Sequence, residues 1–143
     1  MTGCLKHTDI DILLSAPEEI EIDGRKYILE TSLNRDFMPT YPPNESRLTG
    51  GVSVIAVDSQ PFPSSIDMNR LWVIKGRDYW ETEFSGITRP TEPNNRHKLF
   101  GYAENGPRWQ PRITVDVVVR IIDNNNQEYL LRTSGQEIHD SCK

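Results

Sequence analysis

The sequence predicts an all-β domain, an antiparallel two-sheet, immunoglobulin-like sandwich of about seven or eight strands joined by long proline-containing loops. Three observations carry this expectation. A strict apolar alternation lies near the carboxyl end, two further apolar runs are parted by an Asp-Gly pair, and the prolines fall between apolar runs rather than inside them.

Each element can be justified in chain order. Residues 8–16 place Ile10, Leu13 and Leu14 at helical spacing, which a peripheral strand explains equally well. Residues 19–22 and 25–33 flank Asp23-Gly24, a strong hairpin signal, and Tyr27, Leu29 and Leu33 fall on one side of the second run. Residues 52–57 read as a strand that is apolar on both faces, with Gly50-Gly51 as a flexible lead-in. Residues 71–74 bring Trp72 into the interior. In 79–84, Trp80 and Phe84 share one face while Tyr79, Glu81 and Glu83 share the other. A weaker strand is expected near 99–103. The clearest segment is 113–122, where Ile113, Val115, Val117, Val119 and Ile121 alternate with Thr114, Asp116 and Arg120, so that one face can be buried and the other wetted. Asp123 and Asn124, Asn125 and Asn126 then turn the chain into a partner strand at 129–133, completing a hairpin. Residues 34–47, 58–68, 85–98 and 104–112 are the long loops, and Pro39, Pro42, Pro61 and Pro90 within them discourage edge-to-edge pairing.

At 143 residues the chain is the size of one domain, divided here into an N-terminal extension or tether (1–18) and a β-sandwich (19–143). Sixteen Lys and Arg against 21 Asp and Glu leave a formal charge of -5, which disfavours nucleic acid as a partner. No run approaches the roughly 20 apolar residues of a membrane-spanning helix. Cys4 and Cys142 sit at opposite ends with no spacing suited to zinc, and read either as free thiols or as a bond joining the termini.

A train of short strands with Trp72 in an early-middle strand and a strong terminal hairpin resembles the immunoglobulin or fibronectin type III sandwich, without the inter-sheet cysteine pair of antibody domains. Thr2-Gly3-Cys4 is similar to the end of a bacterial lipoprotein signal. That resemblance implies an acylated Cys4, a tether following it and an exported module at the cell envelope; an ordinary cytoplasmic protein with a chance Gly-Cys is the alternative.

Among catalytic chemistries, Glu81 and Glu83 are the carboxylate pair on a strand face that a glycan hydrolase would need, against a solvated strand face as the plainer reading. Asp9 and Asp11 fit a surface terminus. Asp123, Asn125, Gln127 and Glu128 could offer oxygens to calcium, but lack the glycine of an EF-hand loop and are accounted for by the hairpin. His7, His97 and His139 show no ligand spacing, Ser64 and Ser65 fit a turn, and no GxSxG or GxGxxG is present. No metal or cofactor is therefore expected. Asn44-Glu45-Ser46 matches a glycosylation acceptor.

Tyr41, Phe62, Tyr102 and Trp109 remain, in or beside loops and accompanied by Arg47, Arg89, Arg96 and Arg108. Aromatic rings and arginines concentrate binding energy at interfaces, so Tyr41, Phe62, Tyr102, Arg108 and Trp109 are the candidate partner-binding residues, although each ring could instead seal an end of the sandwich. The functions that survive are a non-catalytic module recognising a protein or glycan, a small glycan hydrolase using Glu81 and Glu83, and a structural or self-assembling subunit.

Overall fold

The computed structural model describes residues 9–35 and 47–140. Within them the chain is all-β apart from one short helix. Helix α1 (Ile10–Leu14) precedes β1 (Ile20–Ile22), β2 (Arg25–Arg35), β3 (Leu48–Ala56), β4 (Asp67–Lys75), β5 (Asp78–Thr82), β6 (Gly86–Thr88), β7 (Lys98–Ala103), β8 (Thr114–Ile122) and β9 (Glu128–Asp140).

The strands form one curled sheet in the order β5-β4-β8-β9-β2-β3-β7-β6, with β1 added to β2, where two separate antiparallel sheets were expected. The reason lies in β9. Its first part pairs antiparallel with β8, and its last residues, opposite Leu33 to Arg35, pair parallel with β2. Between these stretches Val115 faces Gln136 and Val117 faces Thr133, so Ser134 and Gly135 together stand opposite Asp116. Gly135 has φ +64, a conformation open to a residue without a Cβ. An extra residue of this kind bends a strand, and here it frees β9 to leave β8 and join β2. The two halves of the sheet are thus welded by one long strand. Its end strands, β5 and β6, are also consecutive in the chain, linked by residues 83–85.

Hairpin chemistry follows the sequence closely. Asp23 and Gly24 both have positive φ, 54° and 79°, as the mirror-image two-residue turn between β1 and β2 requires. At the β8–β9 turn, one Asp123 carboxylate oxygen accepts the backbone N–H of Asn125 at 2.9 Å and of Gln127 at 3.0 Å, and the other accepts the Tyr129 hydroxyl at 3.2 Å. Desolvation opposes charge on Asp123, yet these donors together hold its carboxyl below the usual range.

The main core lies on the concave side. Tyr27, Leu29 and Leu33 of β2 meet Val52 and Val54 of β3, Leu71 and Val73 of β4, and the ridge Val115, Val117, Val119 and Ile121 of β8, all buried. Trp80 and Phe84 also face this core, as the alternation predicts. Gly50 and Gly51 stand inside β3 rather than leading into it, paired with β2 and β7 on either side, and the Leu33 side chain comes within 3.2 Å of where a Gly50 Cβ would sit. The indole of Trp80 leaves even less room at Gly106, where a Cβ would meet it at 2.8 Å.

Trp72 is buried, but on the convex side. It packs with Ile74, Val118, Leu13 and Ala16 in a second, smaller cluster beneath α1. The residue that carried the likeness to the immunoglobulin sandwich therefore lies outside the main core. Asp9 is not a loose surface acid either: it caps α1, accepting from the N–H groups of Asp11 and Ile12. Arg132 fastens the following segment, donating to the Ala16 carbonyl at 2.8 Å and the Asp116 carboxylate at 3.2 Å, with Glu18 at 3.6 Å. Within the segment assigned from sequence to an extension or tether (1–18), Leu13 and Ala16 are buried against the sheet. No helix among the described residues is long and apolar enough to cross a membrane.

Candidate functional site

The candidate binding residues do not form one site. Tyr41 falls outside the described residues, as do Cys4, Cys142, His7 and the Asn44-Glu45-Ser46 acceptor. The others occupy three places.

Phe62 is half-buried and meets the Tyr27 ring edge-on, centroids 5.4 Å apart at 65°. Its loop is clamped by Arg25, which donates to both carboxylate oxygens of Asp58 at 2.9 Å and to the carbonyls of Gln60 and Pro61 at 3.1 Å. Arg25 and the Gln60 N–H hold the Asp58 carboxyl down at about 2. Burial pushes the Tyr27 hydroxyl above its usual range. Phe62 therefore seals one end of the core. Arg89 serves the same loop, reaching the carbonyls of Pro63 and Ile66 at 3.1 and 2.6 Å. Ser64 and Ser65 lie exposed on that loop.

Tyr102 lies on strand β7, within the 99–103 run expected to be a strand, and points outward with Phe100. The two rings stand over Gly51 and Ser53 of β3, their cross-strand partners, and a shallow groove of about 130 Å³ runs beside Phe100 along Glu30, Ser32, Gly51 and Ser53.

Trp109 and Arg108 occupy the third place, the far end of β2 from Phe62. Tyr27 and Arg35 mark those two ends, roughly 26 Å apart at the usual rise per strand residue. Here Trp109 is half-buried against the main core, and its carbonyl accepts from Arg35 at 2.7 Å. Lys75 Nζ lies 5.4 Å from the centre of its ring, within cation–π range. Together with Arg108, Gln110 and Ile113 they line an open pocket of about 320 Å³. Arg35 is buried, and burial together with the nearby Arg108 lowers its pKa. Lys75 was missed in the sequence because nothing in a strand-terminal lysine announces which loop it will face; the Lys75-Gly76-Arg77-Asp78 turn was the available signal.

Glu81 and Glu83 come together, but on a cation. Arg70 Nε lies 3.7 Å from Glu81 and Arg70 Nη2 lies 3.8 Å from Glu83, so the carboxylate pair is bridged by a guanidinium rather than flanking a vacant position for a sugar. Among the described residues no His, Cys, Asp and Glu gather as a metal-binding group. His97 is half-buried beside β7 and His139 is exposed on β9.

The fold and this site define a β-sheet domain whose open pocket is lined by an aromatic ring and cations. No protein-family model matches the chain, and no curated protein matches its sequence.

Proposed function

We propose that the domain is a non-catalytic recognition module that holds a protein or glycan partner at the end of the sheet carrying Trp109, Arg108 and Lys75. One observation carries the reading. Arg108 and Trp109, both candidate partner-binding residues, line one pocket together, and the structure adds Lys75 over the indole. A tryptophan offers a large rigid surface at little entropic cost, and neither Lys75 nor Arg108 makes an ion pair among the described residues, so both cations are free to meet acidic groups on a partner. In a chain of net charge -5 such a local excess favours one approach direction over others.

Arrays of acidic glycans and envelope extracts, probed with the full chain, test this. Trp109→Ala and the exposed Arg108→Ala are each expected to weaken the bound partner about tenfold or more, while Tyr102→Ala on the convex face retains it. Binding that survives both of the first two substitutions overturns the reading.

Within the same proposal the two curled halves act as the two layers of an immunoglobulin-like sandwich, and Cys4, acylated in an exported form, anchors the module at a bacterial envelope. The Thr2-Gly3-Cys4 sequence supports that anchor. Incorporation of labelled palmitate that disappears in Cys4→Ser is the expected result; a label-free protein in the soluble fraction rejects it.

A further inference from the structure

The geometry points to a second binding site, for a small organic carboxylate with an apolar tail, in the cleft between Arg70 and Arg120. Its origin is a defect in strand pairing. Met68 faces Ile121 and Arg70 faces Arg120, so Asn69 is an extra residue that shifts the register of β4 against β8. Bulges re-aim side chains, and this one sets two arginines directly opposite each other on adjacent strands. Like charges in that relation destabilise a sheet unless something neutralises them.

The protein's own neutralisation is incomplete. Arg120 Nε donates to Asn69 Oδ1 at 2.9 Å, but Arg120 makes no ion pair among the described residues. Among the described residues Arg70 has two long contacts, to Glu81 and Glu83, and its buried Nε has no hydrogen-bond partner. Glu83 is the weaker tenant of the two: its side chain is 77% exposed and it stands 3.8 Å from the guanidinium, beyond hydrogen-bond distance. A ligand carboxylate taking the place of Glu83 could bond both arginines in the short, charge-assisted geometry that Glu83 does not reach.

The walls specify the rest of the ligand. The cleft, about 370 Å³, is lined by the polar Asn69, Arg70, Glu83 and Arg120 and by the apolar Met68, Phe84 and the exposed Ile87 of β6. Cations beside an apolar wall suit a molecule with a charged head and a short hydrocarbon body. The site lies beside the 83–85 link between the end strands β5 and β6 and shares no lining residue with the pocket at Trp109.

Calorimetric titration of the full chain with hexanoate at low salt, beside hexan-1-ol and hexylamine, tests the assignment. Hexanoate is expected to bind saturably at one site with roughly millimolar affinity, and the alcohol and amine not to bind. Arg120→Gln should weaken hexanoate about tenfold and Ile87→Asp by a similar factor, whereas Glu83→Gln should tighten it several-fold by removing the competing carboxylate. Circular dichroism of each variant verifies folding. Equal binding of the alcohol, or an unchanged affinity in both Arg120→Gln and Ile87→Asp, or weaker binding in Glu83→Gln, overturns it.

Discussion

On the β4–β8–β9 side of the sheet, Trp72, Ile74 and Val118 point away from the main core, and α1 lies across them. On the β2–β3–β7 side the corresponding outward positions hold Ser32, Gly51, Ser53, Phe100 and Tyr102, with Ile28 and Ile55 as an apolar pair toward one end, and no helix lies across them among the described residues. Both halves contribute to the concave core, so the contrast arises on the convex face. A strand that is apolar on both faces obliges the chain to supply a lid, and a strand that is apolar on one face leaves a surface free. The lid is small, a helix of five residues, and depends on Arg132 and the Asp9 cap to stay in place.

Stability measurements can break or sharpen this comparison. The largest effect is expected in the shared core, where Leu71→Ala should lower the unfolding free energy by about 2–5 kcal/mol in urea titrations. Beneath the lid, Leu13→Ala should cost less, about 1–2 kcal/mol, because a short helix can settle toward the gap. A Leu13 loss as large as that at Leu71 would mean that the two clusters act as one. Smaller again is the clamp at the edge of the uncovered half. Asp58 ionises at about 2 in the folded protein against 3.8 for a free carboxyl, so its contribution is complete above pH ~4 and is lost as pH falls through about 2. Asp58→Asn should therefore be less stable than wild type at pH 6, with the gap closing toward pH 2. The smallest effect is expected at Tyr102→Ala, within about 0.5 kcal/mol, since its ring rests on an open face.

Much of the fold was legible where its strands and turns obey simple local rules. The ridge from Val115 to Ile121, the Asp23-Gly24 turn and the Asp123 turn all have local causes, and local causes can be read locally. Other features have none. Strand β6 is Gly86–Thr88, too short for any alternation to register, and it lay hidden in what reads as a long loop. The parallel pairing of β9 with β2 joins residues more than a hundred positions apart, and the glycine that permits it, Gly135, looks like any turn residue. Trp72 was rightly buried but given the wrong side, since alternation says which residues share a face and not which face is covered by what. The candidate site was legible as residue types only. That Arg108 and Trp109 would meet Lys75, and that Glu81 and Glu83 would share Arg70, depend on strand neighbours set by the fold.

The position of β9 between β8 and β2 has a consequence for biosynthesis. The strand that seams the two halves is the last of the described strands to leave the ribosome, so β2 and β3, made early, wait for a neighbour that arrives about a hundred residues later. Vectorial folding from the amino end is closed to such a topology, and the emerging β2–β3 pair must keep an unsatisfied flank in solution until translation has passed Ile138.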